Sequence, residues 1–170
     1  MNDLEMDYKR YLKKRQMPRW QYWYRKSQQA RGILMLFYKI IMKKACKKYC
    51  VDIGVTTQIG GGGCYFGHPY AITINPKAKI GKNCNIHKGV TIGQENRGKR
   101  QGVPTIGDEV WIGVNASVVG DIKIGNDVLI APNSYVNCDV PDHAIVFGNP
   151  CIVRHRDNAT EAYIENKVNS

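Results

Sequence analysis

An aliphatic residue recurs at every sixth position through the middle of this chain, and few folds accept that spacing. Ile74, Ile80, Ile86 and Ile92 stand in one frame, which Ile106, Ile112, Val118, Ile124, Ile130 and Val136 continue. Ile53 and Ile59, followed by Gly54 and Gly60, open the same series earlier. Four positions after most of these comes a small or aliphatic residue, as at Ala78, Cys84, Val90, Ala116 and Ser134. A period of six matches neither the 3.6 of an amphipathic helix nor the 2 of an alternating strand. It matches a short strand plus a turn, repeated: the aliphatic residue points inward, the small one fills a corner, and Gly or Asn takes the turn. Stacked units of this kind form a parallel β-helix. An all-β sandwich does not account for ten Ile or Val positions held in one frame. The predicted fold is therefore an all-β core of hexapeptide repeats.

The charge divides at the border of the repeat. Residues 1–50 hold fourteen Lys and Arg against Asp3, Glu5 and Asp7, so the whole +11 net charge sits there, whereas 51–170 balance. The expected organisation is a basic, aromatic-rich helical extension over 1–50, a repeat domain over 51–156 with an inserted loop at 94–104, and a polar tail over 157–170. Helices are expected over Asp7–Arg15 and Gln28–Tyr49, parted near Pro18, and the tail as a short helix or a frayed end. The apolar run Ile33–Met42 is broken by Lys39 and is about half of the roughly 20 residues that span a bilayer. The N-terminus lacks the apolar stretch and cleavage site of an export signal. A reducing, cytoplasmic setting follows, with six free thiols; with no C-x-x-C pair, no metal site is expected.

The segments His68-Pro69-Tyr70-Ala71-Ile72-Thr73-Ile74, Val90-Thr91-Ile92-Gly93, Pro104-Thr105-Ile106-Gly107, Val110-Trp111-Ile112-Gly113 and Val146-Phe147-Gly148-Asn149-Pro150 carry a resemblance. Over about residues 52–155 the chain resembles the left-handed β-helix acetyltransferases, and within them the serine acetyltransferase-like branch. The resemblance implies a left-handed prism with three hexads per coil, a homotrimer with active sites in clefts between subunits, and acetyl-coenzyme A as donor.

Two interruptions of the repeat mark the candidate site, because solenoids place functional loops where the period breaks. One lies between Ile59 and Ile74 and contains Gly60–Gly63 and His68; the other is the loop 94–104, expected to project from the prism. Acyl transfer to a hydroxyl needs a base near neutral pH, and histidine's ordinary pKa of about 6.5 suits it. The resemblance assigns that role to His68, with direct transfer and no acyl-enzyme; a turn histidine bonded to backbone is the structural alternative. Asp52 aligns with the aspartate that partners the family's histidine, or else caps the first coil. His87 and Asn96 are candidates to contact the acceptor. Gly93, Gly113, Val114, Ala131 and Pro132 are expected to line the coenzyme groove, and Lys99, Arg100, Arg154 and Arg156 to meet its phosphates.

Two family positions differ. The aspartate before the catalytic histidine is Gly67 here, and a second histidine, before a proline in the inserted loop, is Val103. Both residues help the family hold its amino acid, so the expected acceptor shifts from serine to a hydroxyl of a surface-polysaccharide sugar, with serine as the alternative. A non-catalytic trimeric scaffold is the rival of another class. For residues 1–50, the pattern of apolar residues from Ile33 to Ile41 among lysines, beside Trp20–Tyr24, suits an anionic membrane surface at the inner face of the membrane. The same segment is expected to cap the first coil, and nucleic-acid binding is the weaker rival.

Overall fold

In the computed structural model, which describes residues 1–168 with the Lys14 side chain excepted, the hexads wind into three parallel sheets that form the faces of a prism. The first face stacks Asp52–Ile53, Thr73–Ile74, Thr91–Gly93, Ser117–Val119 and Tyr135–Val136. The second stacks Gln58–Ile59, Lys79–Ile80, Thr105–Ile106 and Lys123–Ile124. The third stacks Tyr65–Gly67, Asn85–His87, Trp111–Ile112, Val128–Ile130 and Ala144–Phe147, closed by the antiparallel strand Ile152–His155. Register is set by the frame itself: Ile74 pairs with Ile53 and Ile92, and Ile80 with Ile59 and Ile106. The aliphatic frame fills the prism axis, and Ala78, Cys84, Val90, Ala116 and Ser134 are buried at its corners. Turns at the corners use left-handed backbone at Asn83, Asn115, Asp127 and Asn133, residues that tolerate it. Together these observations establish the parallel hexapeptide-repeat β-helix predicted above.

The first interruption is not a gap in the core. Phe66 occupies the third-face inward position between Ile59 and Ile74, and it is buried against Trp20 with ring centroids 4.6 Å apart. An aromatic residue and a glycine run hid this hexad from an aliphatic count.

The N-terminal segment forms three helices, α1 (Asp3–Lys9), α2 (Arg19–Gln29) and α3 (Gly32–Tyr49). The boundaries correct the expected ones. α1 starts early because Asn2 and Glu5 form a capping box, and it stops at Lys9 rather than Arg15. The aromatic run Trp20–Tyr24 is itself helical, and extended backbone at Ala30 and Arg31 separates α2 from α3. These helices close the open end of the prism by satisfying backbone groups of its first coil. The Tyr24 hydroxyl donates to the Thr57 carbonyl (2.6 Å), Gln21 to the Cys64 carbonyl (2.9 Å) and Arg10 to the Gly63 carbonyl (2.9 Å). The Phe66 amide donates to the Tyr11 hydroxyl (3.0 Å), so the terminal edge is left neither dry nor bare.

The tail is neither helical nor frayed through residue 168; the last two residues lie outside the described ones. It runs in turns across the third face, where Asp127 accepts from the Ala159 and Thr160 amides, each at 2.9 Å. Tyr163 packs edge-on against Trp111, and Ala159, Ile164 and Val168 are buried.

Candidate active site

Each coil leaves the third face, turns a corner and enters the first face, and His68 sits at that corner in the first coil. Its backbone is left-handed (φ 48°), its carbonyl accepts from the Tyr70 amide (2.7 Å), and its side chain is exposed. The same corner in later coils carries Lys88-Gly89, then Gly113-Val114, then Ala131-Pro132. Backbone hydrogen bonds tie these corners into one row: Lys88 to Gly67 (3.1 Å), Gly89 to Tyr70 (3.0 Å), Asn115 to Lys88 (2.9 Å) and Asn133 to Val114 (2.9 Å). The predicted base and four of the predicted groove residues therefore share one edge, within three strand spacings or roughly 14 Å. The row is tightly packed at Gly113, where a Cβ would lie 2.6 Å from the Pro132 nitrogen.

His68 and His87 line one cavity of about 520 Å³ beside this edge, together with Tyr65, Tyr70, Trp111 and Tyr163. The aromatic rings form a ladder: Tyr65 to His87 at 6.5 Å, His87 to Trp111 at 4.7 Å, and Trp111 to Tyr163 at 5.2 Å between centroids. Tyr65 and Trp111 both stand one position before an inward residue, Phe66 and Ile112, on the outer side of the third face, and only Trp111 falls within a motif quoted above. Tyr163 arrives from the tail and leaves no periodic signal at all.

His87 occupies the space that a side chain at position 67 would need. A Cβ on Gly67 would fall 2.5 Å from the His87 ring atoms Cε1 and Nδ1, so the glycine and the imidazole fit as a pair. Burial, and then the field of His68, lowers the His87 imidazole from 6.5 to about 4. It is therefore neutral at pH 7, and its Nε2 is buried without a hydrogen-bond partner among the described residues. Installing the missing carboxylate with Gly67→Asp is expected to cost about 1–3 kcal/mol through overcrowding. Adding His87→Ala should recover most of that loss, and a double-mutant cycle of urea unfolding measures the coupling. Additive losses would show that the two positions do not compete for space.

The pH dependence of stability follows from the same ring. With its folded pKa below the unfolded one, His87 takes up its proton first in the unfolded chain as pH falls. Its contribution is complete above about 6.5 and is lost as pH drops towards about 4. His87→Phe should therefore flatten the decline of the urea midpoint between pH 7 and pH 5, and an unchanged slope would remove His87 as its source.

Other predicted residues stand apart. Asp52 is exposed on the first face, outside the cavity, and no hydrogen bond or ion pair joins it to His68 among the described residues. Gly93 ends a first-face strand at the far border of that face, where the loop 94–104 leaves the coil. The base of the loop is held against the prism: Glu95 and Gly102 exchange two backbone bonds of 3.0 Å, Asp121 donates to the Arg100 carbonyl (2.9 Å), and the Arg100 guanidinium reaches the Asn137 carbonyl. Asn96 and Lys99 lie exposed near its tip, and Arg154 and Arg156 are exposed on or beside the closing strand. Within one chain the structure does not bring Asn96, Lys99 or Arg100 to His68. The six cysteines are free. Burial pushes the Cys84 thiol up to about 12 and Cys46 up to about 11, which leaves both inert as nucleophiles near neutral pH.

Residues 104–138 match the family model described as bacterial transferase hexapeptide (six repeats), so the coils carry that transferase repeat. The chain is 40% identical over 102 residues to a serine acetyltransferase of Mycobacterium tuberculosis, an alignment covering 59% of this chain and 43% of that one. It is 33% identical over 122 residues to serine acetyltransferase 4 of Arabidopsis thaliana, covering 72% and 33%. The chain thus spans less than half the length of these two relatives. Among solved structures, the Neisseria gonorrhoeae serine acetyltransferase in complex with serine superposes with a TM-score of 0.66 at 30% identity, covering 89% of this chain and 66% of that chain. The soybean serine acetyltransferase apoenzyme gives 0.66 at 30% identity over 79% and 55%.

Proposed function

We propose that this hexapeptide-repeat chain, similar along its coils to serine acetyltransferases, is an acetyl-coenzyme A-dependent O-acetyltransferase with His68 as general base. The observation that carries the reading is the single hydrogen-bonded edge on which His68, Gly113-Val114 and Ala131-Pro132 lie. A pantetheine arm laid along that row would deliver its thioester beside His68. As the acceptor hydroxyl attacks the thioester carbonyl, the imidazole takes the hydroxyl proton. The tetrahedral oxyanion then collapses, the carbon–sulfur bond breaks, and the imidazolium returns the proton to the departing thiolate. No side chain need form an acyl-enzyme, in keeping with the inert buried thiols.

The expected site is completed between copies of the chain. The His68 edge and the loop 94–104 lie on opposite borders of the first face, so a closed homotrimer would set the loop of one copy, with Asn96, Lys99 and Arg100, against the His68 edge of the next. Serine is the acceptor that the relatives favour. One observation supports a second acceptor, a sugar hydroxyl: the ladder of Tyr65, Trp111 and Tyr163 offers flat apolar faces to a pyranose ring, and Gly67 supplies no carboxylate for an ammonium group. Coenzyme A release, measured with serine and with a panel of free and nucleotide-linked sugars, separates the two. Release with no acceptor in either set would favour the scaffold reading over catalysis.

A further inference from the structure

Helix α3 has two apolar faces, and the prism uses only one. Met42 and Cys46 are buried towards α2 and the first coil, whereas Ile33 (87% exposed), Phe37 (54%) and Ile40 (57%) form a stripe on the opposite side with Leu36. The spacing 33, 36, 37, 40 keeps these residues on one helical face. Lys44, Lys47 and Lys48 continue the same stripe towards the C-terminus, with Lys43 at its flank, all exposed. No acidic residue occurs between Asp7 and Asp52, an interval that holds fourteen Lys and Arg.

We propose that α3 lies on an anionic lipid bilayer, its Ile33–Ile40 stripe entering the acyl boundary and its C-terminal lysines meeting headgroup phosphates. A lipid surface is the occupant that accepts both halves of the stripe. Nucleic acid would neutralise the lysines and leave the apolar half in water. A second copy would cover the apolar half but would bring another acid-free row of lysines within a Debye length of the first. No helix among the described residues is long and apolar enough to cross a membrane, so the mode is flat, with the apolar side chains buried roughly 5–10 Å deep. This inference stands apart from the acetyl-transfer reading.

Flotation of the full chain with vesicles tests it. Most of the protein should rise with phosphatidylcholine vesicles containing about 30% phosphatidylglycerol at low salt, and at least fivefold less with phosphatidylcholine alone. The triple variant Ile33→Ser/Phe37→Ser/Ile40→Ser and the quadruple variant Lys43→Gln/Lys44→Gln/Lys47→Gln/Lys48→Gln should each lose about tenfold or more in recovery. All seven side chains are exposed, so far-UV circular dichroism should be unchanged. The proposal fails if the chain stays soluble beside the anionic vesicles or if the triple variant floats as well as the parent. It also fails if the triple variant sediments at a lower mass than the parent, since the stripe then belongs to a second copy.

Discussion

Replacing His68 with asparagine is expected to lower turnover of acetyl-coenzyme A with its acceptor by about 10²–10⁴-fold while leaving the folded state nearly as stable. Asparagine is the informative substitution because position 68 is left-handed, a backbone that asparagine adopts at lower cost than alanine. The exposed imidazole makes no side-chain hydrogen bond among the described residues, so little stability depends on it. A fall in kcat without a rise in coenzyme A KM would place the lost interaction in the transition state. His87 is the rival base, and its position explains why it should not substitute. Its ring is packed on Gly67 and Trp111, and its Nε2 is enclosed, so it has no free path to a hydroxyl. Full turnover by His68→Asn would end the assignment and turn attention to His87.

The largest structural loss should come from Asp7→Ala. Arg25 and Asp7 are both almost wholly buried where α1 and α2 meet the first coil, and Arg25 Nε donates to Asp7 Oδ2 at 2.7 Å. Arg25 also donates to Asp3 (3.1 Å) and to the Ile59 carbonyl (2.8 Å), while Asp7 Oδ1 accepts from the Cys64 amide (3.0 Å). Burial is the largest single influence and acts to lower the guanidinium's pKa, but Asp7, Tyr24 and Asp3 together outweigh it and the net shift is upward. Removing the carboxylate leaves a buried cation whose remaining anionic partner, Asp3, is half-exposed, and orphans an amide, for an expected loss of about 3–5 kcal/mol. Asp7→Leu with Arg25→Met removes the stranded charge and should recover part of that loss. Recovery stays partial because the Ile59 carbonyl and Cys64 amide still lack partners. Urea unfolding measures both, and a loss below about 1 kcal/mol for Asp7→Ala would show that water reaches the pair.

The prism was legible because its inward residues obey one rule that local sequence can state. Ile74, Ile80 and Ile86 each mark a different face, and their period alone gives the register. The rule failed at Phe66, where the inward residue is aromatic so that Trp20 of the cap can lie against it. His68 was legible as a break in the period followed by proline. The cavity around it was not, since Trp111 comes from two coils away, Tyr163 from the tail and Arg10 from the turn that ends α1. The interlock of Gly67 with His87 is invisible for the same reason. Two residues twenty positions apart meet only because one coil of the prism is about that long.

The cavity has a further property that its lining implies. Arg10 donates to the Gly63 carbonyl from the cap and also reaches the Glu165 carbonyl of the tail, so segments near both ends of the described chain meet at one wall. During synthesis every coil can close before residues 157–168 have left the ribosome, yet the wall bearing Tyr163 does not then exist. A chain cut before Tyr163 would therefore lack one wall of the cavity that His68 lines.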